Sequence, residues 1–421
     1  MQDVNWFRSA ILILPTLLLA IWAGPTAAFT GNVILPDPGE VGPCDYERLS
    51  LEIQGNQIAV FIPLEGSCDS WSSAPFPGLV FAHGFSMMGF SNGVADVAGH
   101  GEHLASWGYW VAIPALPDDA ESRIEVLRLV IDHLLLASSQ TNSPLYQKID
   151  AQRLAVAGYS LGGATALATS ARDERVQTVV ALDPVYHEGD FSGEGNPIWN
   201  PEVDGQAIKV PAGILGSPAS SCNAQADYAE IYDFVGAGHK AAYQVTGASH
   251  CDFLDPGNSY CALFCGGTSD ATRTALSQRY MTAWLNYYLL SKDEYFAVLF
   301  GDGLAQDIAN NSISAEYANQ PRGFQGFGTS KWVLLSWEVY DLPILDGYNI
   351  YRREPGGVYP SQPYRQVDLT GSHTDEAVST GEQYGYKICS YDLGGNQHQC
   401  SAEIMITVGE SEAVFLPVIW W

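Results

Sequence analysis

The sequence contains Leu154-Ala155-Val156-Ala157-Gly158-Tyr159-Ser160-Leu161-Gly162-Gly163-Ala164, which is its most informative stretch for the type of fold. Its apolar start predicts a buried strand, Gly-x-Ser-x-Gly predicts a sharp turn, and the small residues that follow predict a helix. Such a turn raises a serine hydroxyl to where a general base can take its proton. Ser160 is therefore the candidate nucleophile, and the alternative is a purely structural glycine-rich turn.

Strand-like and helix-like patterns alternate on both sides of this stretch. Alternation of this kind predicts a mainly parallel sheet flanked by helices, which is the α/β class. A long amphipathic pattern over residues 273–290 predicts the helix that closes this part of the chain. The other predicted elements cover residues 78–82, 101–107, 110–113, 121–138, 154–157, 164–171, 178–182 and 213–215.

The pattern changes after residue 331 to short alternating strands separated by turns, which predicts a β-sandwich. The polar segment before it is interpreted as a linker. The predicted organisation is a signal peptide (1–28), a catalytic domain (29–305), a linker (306–328), a small all-β domain (329–409) and an apolar tail (410–421).

The N-terminus and the charge bear on localisation and partners. Residues 1–28 combine Arg8, an apolar run and Thr26-Ala27-Ala28, the pattern of a secretory signal peptide, with an uncleaved anchor as the alternative. No later stretch approaches the roughly 20 apolar residues of a membrane span. The net charge of −28 disfavours nucleic acid and anionic lipid as partners and favours a neutral or apolar substrate.

The eight cysteines form an even set, which in an exported protein predicts disulfides. Cys44 with Cys68 and Cys389 with Cys400 are the local pairs. The remaining four surround a candidate catalytic histidine, their pairing stays open, and no Cys-x-x-Cys supports zinc among them. They are Cys222, Cys251, Cys261 and Cys265. We therefore expect neither a metal nor an organic cofactor.

The candidate general base is His250, in a loop after a late strand. Its rival His239 precedes that strand and is interpreted as a solvated turn residue. His100 and His103 can share one helical face and would suggest a metal, but a third ligand is missing.

The candidate acid is Asp183, at the end of the strand after the elbow. Asp227 is the alternative, because a loop after the next strand is the commoner place for this acid. We favour Asp183 because that next strand ends in Gly216-Ser217-Pro218 with no carboxylate close behind. Asp252 is too close to His250 in sequence to orient its ring easily.

An oxyanion hole is predicted from the backbone N–H groups of Phe85, in a turn after an earlier strand, and Leu161, at the start of the helix. His83 is expected to orient this turn rather than to transfer protons. Three aromatic residues flank the nucleophile, the oxyanion turn and the acid, and His187 lies near enough to contact a substrate. The aromatic candidates for an apolar substrate pocket are Phe85, Tyr159 and Tyr186.

The chain resembles a group of α/β-hydrolases that contains platelet-activating-factor acetylhydrolases, chlorophyllases and cutinase-like polyester hydrolases. The resemblance spans about residues 45–300 and rests on Phe-Ala-His-Gly-Phe, Gly-Tyr-Ser-Leu-Gly-Gly-Ala, Ala-Leu-Asp-Pro-Val and Gly-Ala-Ser-His-Cys-Asp-Phe. In the first two families the acid follows the strand after the elbow, which supports Asp183; cutinase-like enzymes carry it one strand later.

The last 85 residues or so resemble a fibronectin type III domain, with Tyr384 at its tyrosine corner.

These observations predict a secreted serine hydrolase that cleaves carboxylic esters through Ser160, His250 and Asp183. The ester could be a lipid, a chlorophyll-type ester or a polyester. A peptidase with the same catalytic residues and a non-catalytic surface-binding protein on a hydrolase scaffold are the alternatives.

Overall fold

The structure, a computed structural model, describes residues 36–68, 71–85, 93–117, 119–187, 199–267, 269–319, 321, 323–337, 339, 345–392 and 397–409. The predicted signal peptide and the apolar tail lie outside these ranges and stay predictions. No helix in the described ranges is both long enough and apolar enough to cross a membrane.

One large sheet organises the chain between residues 46 and 319. Its strand order is β1-β2-β4-β3-β5-β6-β7-β8-β9, and its six central strands, β4 to β8 in that order, run parallel. Antiparallel pairs of strands close both edges. The strands are β1 (Tyr46–Ile53), β2 (Asn56–Pro63), β3 (Phe76–Ala82), β4 (Trp110–Pro114), β5 (Ile149–Tyr159), β6 (Thr178–Leu182), β7 (Ala212–Gly216), β8 (His239–Val245) and β9 (Ile313–Asn319).

Helices cover both faces of this sheet, as the α/β prediction requires. They are α1 (Gly93–Asp96), α2 (Ala98–Ser106), α3 (Ala120–Ser139), α4 (Leu161–Arg172), α5 (Tyr228–Phe234), α6 (Ser259–Cys265), α7 (Ala271–Tyr288), α8 (Phe296–Leu299) and α9 (Asp302–Ala309). Leu127 of α3 and Leu167 of α4 belong to one buried cluster, and Leu104 of α2 and Trp284 of α7 belong to the other. The parallel strands are therefore buried on both faces, which explains their continuous apolar runs.

The predicted linker over residues 306–328 is wrong for most of its length. Helix α9 extends to Ala309, and β9 pairs antiparallel with β8 along the edge of the large sheet. Ile313 is buried, Ala315 and Tyr317 pack against the core, and Ser314 and Glu316 lie between them. The period of two is present in the sequence, but this edge strand has one solvated face and lies in a polar stretch, so the whole stretch was interpreted as a linker.

The C-terminal strands form two antiparallel sheets. One has the order β10-β11-β14, and the other has the order β13-β12-β15-β16 with β17 also paired to β15. Trp337 and Tyr386 lie in their shared core, and the Ser379 N–H donates to the Tyr384 hydroxyl at 3.1 Å. The strands are β10 (Gln325–Gly328), β11 (Val333–Ser336), β12 (Leu345–Arg353), β13 (Arg365–Val367), β14 (Ser372–Asp375), β15 (Gln383–Asp392), β16 (Gln397–Cys400) and β17 (Ile404–Thr407).

Candidate active site

Ser160 occupies the sharp turn between β5 and α4. Its backbone has φ 56° and ψ −126°, a conformation that L-residues rarely adopt. A Cβ on Gly158 would lie 2.1 Å from the Gly162 carbonyl oxygen, and a Cβ on Gly162 would lie 2.1 Å from the Ala82 carbonyl oxygen. Only glycine fits both positions, so the Gly-x-Ser-x-Gly pattern follows from close backbone contacts around the turn.

Ser160, His250 and Asp183 form one chain of hydrogen bonds. The Nδ1 atom of His250 lies 2.5 Å from Oδ2 of Asp183, and its Nε2 atom lies 3.0 Å from the Ser160 hydroxyl. An ionised carboxylate can only accept, so Nδ1 carries the proton and Nε2 offers a lone pair to the serine hydroxyl. All three residues are buried. The arrangement can move a proton from serine to imidazole while Asp183 stabilises the imidazolium that forms.

Asp183 is held in place from several sides. Its backbone N–H donates to the Leu215 carbonyl, and its carboxylate accepts from the Ser217 N–H at 2.8 Å and the Ser217 hydroxyl at 3.1 Å. Its φ of 39° lies in the left-handed region, which aspartate tolerates better than most residues. The Ser217 that follows β7 therefore orients the carboxylate supplied by β6.

Asp227, the alternative acid, is engaged elsewhere. Its buried carboxylate accepts from the Tyr186 N–H at 2.8 Å and contacts His187 Nδ1 at 2.7 Å. His187 Nε2 also lies 3.4 Å from Glu230. Asp252 builds the turn that carries His250, since it accepts from the Ser249 N–H. Of the three candidate carboxylates, the structure brings only Asp183 to His250.

The other singled-out histidines are buried structural residues. His239 begins β8 and its Nδ1 lies 3.1 Å from the Tyr288 hydroxyl, so the prediction of a solvated turn residue is wrong. Its polar neighbours in sequence concealed the strand. His100 Nε2 donates to the Phe253 carbonyl, and His103 Nε2 lies 3.0 Å from the Pro38 carbonyl oxygen, so the two rings bind different partners.

A buried network supports the turn after β3. The Leu116 N–H donates to His83 Nε2 at 2.9 Å, so the proton of the neutral ring is on Nδ1, which donates to the Gly84 carbonyl at 2.7 Å. The buried guanidinium of Arg123 donates to the His83 carbonyl and, at 3.1 Å, to Thr165. A Cβ on Gly84 would lie 3.2 Å from the Ser160 Cβ, so this turn lies against the elbow.

Buried neutral histidines lead us to predict acid sensitivity. Burial lowers the pKa of His83 and of His103 to about 3, with Arg123 and His100 respectively adding to the effect. Unfolding restores a pKa of about 6.5, so the unfolded chain binds more protons below that pH. The free energy of unfolding is therefore greatest above pH 6.5. It should decrease by about 1.4 kcal/mol for each such histidine with every pH unit below that value.

Urea unfolding at pH 7.5, 6.5 and 5.0 measures this loss while most carboxylates remain ionised. His103→Gln should flatten the dependence, since it removes one of the titrating groups and lies outside the hydrogen-bonded chain. Equal free energies of unfolding at pH 7.5 and pH 5.0 would contradict the prediction.

All eight cysteines are paired. The predicted Cys44–Cys68 and Cys389–Cys400 disulfides are confirmed. The four central cysteines, whose pairing the sequence left open, form Cys222–Cys265 and Cys251–Cys261. The sulfurs of Cys251, Cys261 and Cys265 lie within 4.8 Å of one another, but each belongs to a disulfide and has no thiolate to offer a metal.

A cleft opens over Ser160 and His250. Phe85 and Tyr159, two of the three aromatic candidates for a substrate pocket, line it. The Tyr159 ring lies 4.8 Å from the His250 ring, and its hydroxyl donates to the His250 carbonyl at 3.1 Å, so Tyr159 also holds the histidine in place. The other described lining residues are Asp96, Cys222, Leu254, Asn258, Tyr260, Cys261 and Cys265.

Tyr186 is not among the described residues that line this cleft, contrary to prediction. It is buried, with its ring 5.0 Å from the ring of Trp199 and 4.3 Å from that of His187. His187 likewise faces Asp227 and Glu230. Nearness to Asp183 in sequence did not bring either ring to the cleft, because this segment binds Asp227 and Trp199 instead.

Sequence reasoning missed Arg123, Ser217, Asp96 and Tyr260. Arg123 had one available signal, since it lies on the same helical face as Leu127 and Val130, where a charged residue is unusual. Ser217 directly follows a buried strand. Asp96 and Tyr260 reach the cleft from segments with no motif, so nothing in the sequence marked them.

The sheet order, the elbow after β5 and the histidine after β8 define an α/β-hydrolase. The chain belongs to the PET hydrolase-like family, whose model matches residues 81–314. It is 27% identical over 168 residues to cutinase 1 of Thermobifida cellulosilytica, covering 38% of this chain and 57% of that protein. It is also 27% identical over 168 residues to a cutinase of Thermobifida fusca, covering 38% and 50%. The chain therefore spans about half the length of the curated relatives it matches.

Proposed function

We propose that this chain is a secreted serine hydrolase that cleaves carboxylic esters of apolar, insoluble substrates such as polyesters. His250 takes the proton of Ser160 as the serine oxygen attacks the ester carbonyl, and the N–H groups of Phe85 and Leu161 hold the oxyanion. The alcohol leaves with the proton from His250. Water, activated by the same imidazole, then attacks the acyl-enzyme and releases the acid.

The hydrogen-bonded chain from Ser160 through His250 to Asp183 carries this proposal. Family membership and the cutinase relatives support an ester as the substrate. Four disulfides support an oxidising, extracellular location, in line with the N-terminal pattern. The aromatic and apolar side chains of the cleft support an uncharged acyl or alcohol group.

A panel of p-nitrophenyl esters and peptide p-nitroanilides, with Ser160→Ala as the blank, separates the proposal from its alternatives. The proposal predicts ester turnover that the blank lacks and negligible anilide turnover. Preferential anilide cleavage would favour a peptidase. Equal rates for the wild type and the blank would favour a non-catalytic binding protein.

Helix α6 supports an insoluble substrate. None of its seven residues is buried, and Tyr260, Leu263 and Phe264 are 44%, 74% and 44% exposed. It carries no charge in a chain of net charge −28. Cys261 and Cys265 attach it through disulfides to the segments that carry His250 and follow β7. We propose that this rigid apolar rim rests on the substrate surface beside the cleft.

Leu263→Ser combined with Phe264→Ser should lower hydrolysis of suspended polyester particles at least about tenfold. Full burial of one such apolar side chain contributes about 1.5–3 kcal/mol, so even partial burial of the two on adsorption exceeds the roughly 1.4 kcal/mol of a tenfold change. Hydrolysis of a soluble p-nitrophenyl ester should change less than about twofold, since neither residue lines the described cleft. The matched control is Leu136→Ser with Ile308→Ser, two residues of 57% and 46% exposure on α3 and α9. Equal effects of the two double variants on particles would contradict the role of α6.

We propose that residues 36–319 form the catalytic domain and that the strands from β10 onward form a fibronectin type III-like domain with its own core.

A fragment ending at Pro321 retains β9 and every proposed catalytic residue. It should keep its activity on soluble esters within about twofold and lose activity only on particles. Strand β16 lies against β9, so circular dichroism must show that the fragment is folded. A folded fragment without soluble-ester activity would show that the C-terminal domain shapes the site.

A further inference from the structure

The cleft contains a carboxylate that the proposed reaction does not use. Asp96 ends α1 and lines the same cleft as Ser160 and His250. It is half-buried, and its Oδ1 accepts a hydrogen bond from the Asn258 side chain at 2.8 Å. None of the ion pairs between described residues includes Asp96, and the described lining of the cleft contains no lysine or arginine.

The charge of Asp96 acts inside the cleft. Burial raises the pKa of Tyr159 well above its usual value, and the nearby negative charges of Asp183, Asp96 and Asp252 raise it further. Within the described part of the chain, the Asp183 carboxylate contacts the His250 ring, whereas the side chain that binds the Asp96 carboxylate is the neutral amide of Asn258. Burial raises the pKa of the Asp96 carboxyl and the hydrogen bond from Asn258 opposes that rise, so the charge is tested at a pH of about 8, where the carboxyl is ionised. A partly desolvated carboxylate without a cation repels other anions more strongly than a solvated one does.

Hydrolysis of a diacid polyester creates anions. Each cleavage leaves a carboxylic acid, ionised at neutral pH, on the new acyl end. A second cleavage near that end would bring this carboxylate into the cleft on the acyl part of the ester, whereas a cleavage at an internal ester bond brings no charge. Repulsion inside the cleft therefore distinguishes these two events.

We propose that Asp96 is a specificity-determining residue that disfavours esters whose acyl part carries an ionised carboxylate. This inference rests on the proposed ester hydrolysis and adds a preference among ester bonds. Internal bonds are cleaved in preference to bonds beside an acidic end, so short half-esters accumulate. The hydrogen bond to Asn258 also gives Asp96 a structural contact between α1 and the loop before α6. The test must separate charge from that contact.

Two soluble esters of matched chain length provide the test: p-nitrophenyl valerate, which is neutral, and mono-p-nitrophenyl glutarate, which ends in a carboxylate. Wild-type kcat/KM should be at least about tenfold higher for valerate. Asp96→Asn keeps an acceptor for Asn258 and removes the charge. It should shrink this ratio about fivefold to tenfold while leaving kcat/KM for valerate within about twofold.

The matched control is Glu102→Gln, which removes the same charge from an exposed side chain on α2 and should leave the ratio unchanged. Raising the salt concentration to about 0.5 M should narrow the wild-type ratio and change that of Asp96→Asn little. Asp96→Ser serves as a second uncharged variant if the asparagine variant does not fold.

An unchanged ratio in Asp96→Asn, or equal losses on both esters, would overturn the proposal and leave Asp96 a structural residue. Failure of the proposed function itself gives a different result, because Ser160→Ala would then still hydrolyse both esters.

Discussion

Asp183→Asn is expected to lower kcat on a soluble p-nitrophenyl ester by about 10⁴-fold, the effect that removing this charge has in a serine protease. The carboxylate holds His250 with the proton on Nδ1, at a distance of 2.5 Å. An asparagine amide can donate to Nδ1 instead, which places the ring proton on Nε2 and removes the base that Ser160 needs. Asparagine also tolerates the left-handed backbone at this position, so the variant should fold.

Asp227→Asn is the matched control, because Asp227 is equally buried and also contacts a histidine. It should lower kcat far less, through disturbance of the segment around Tyr186 and His187. Measuring both variants by steady-state kinetics, with thermal melts to confirm folding, decides the assignment. A larger loss in Asp227→Asn would place the acid one strand further along, as in cutinase-like enzymes.

Ser160→Ala and His250→Ala are expected to lower kcat by about 10⁶-fold each, and the double variant should be no worse than either single variant. The serine and the histidine act as one unit, so removing either removes nucleophilic attack altogether. The effects should appear in kcat rather than in KM, because the cleft walls stay in place. Wild-type turnover in either folded variant would contradict the mechanism.

Local chemistry made the centre of the fold and the candidate nucleophile predictable. Buried strands of a parallel sheet are continuous apolar runs, and the two glycines around Ser160 are required by backbone contacts, so both features are visible in the sequence. The pairs Cys44–Cys68 and Cys389–Cys400 were predictable because each closes a short loop.

Features set by tertiary contacts were not predictable. The central cysteines lie close enough together for more than one pairing, and their connectivity follows from where α6 lies relative to the loop after β7 and the His250 turn. Strand β9 reads as a polar linker because one of its faces is solvated. Arg123, on α3, donates to the His83 carbonyl in the turn after β3, although the two residues are distant in sequence. Tyr186 packs against Trp199 and is not among the described lining of the cleft, although it lies only three residues after Asp183.

The proposed acid, Asp183, is positioned by two neighbouring strands of the large sheet. β6 supplies the carboxylate, and β7 is followed by Ser217, which donates two hydrogen bonds to it. The Asp227 carboxylate further along that loop binds the segment after β6 instead. The carboxylate that faces the His250 ring therefore follows β6, and the residue after β7 orients that carboxylate.

Covalent labelling tests whether Ser160 is the nucleophile. Diethyl p-nitrophenyl phosphate transfers its diethylphosphoryl group to an activated serine and releases p-nitrophenolate, because the serine oxygen displaces the phenolate at phosphorus. The assignment of Ser160 as nucleophile predicts one equivalent of p-nitrophenolate per chain and one adduct, located by mass spectrometry at Ser160. It also predicts that esterase activity is lost in step with labelling. An adduct at another residue, or full esterase activity in the labelled protein, would contradict it.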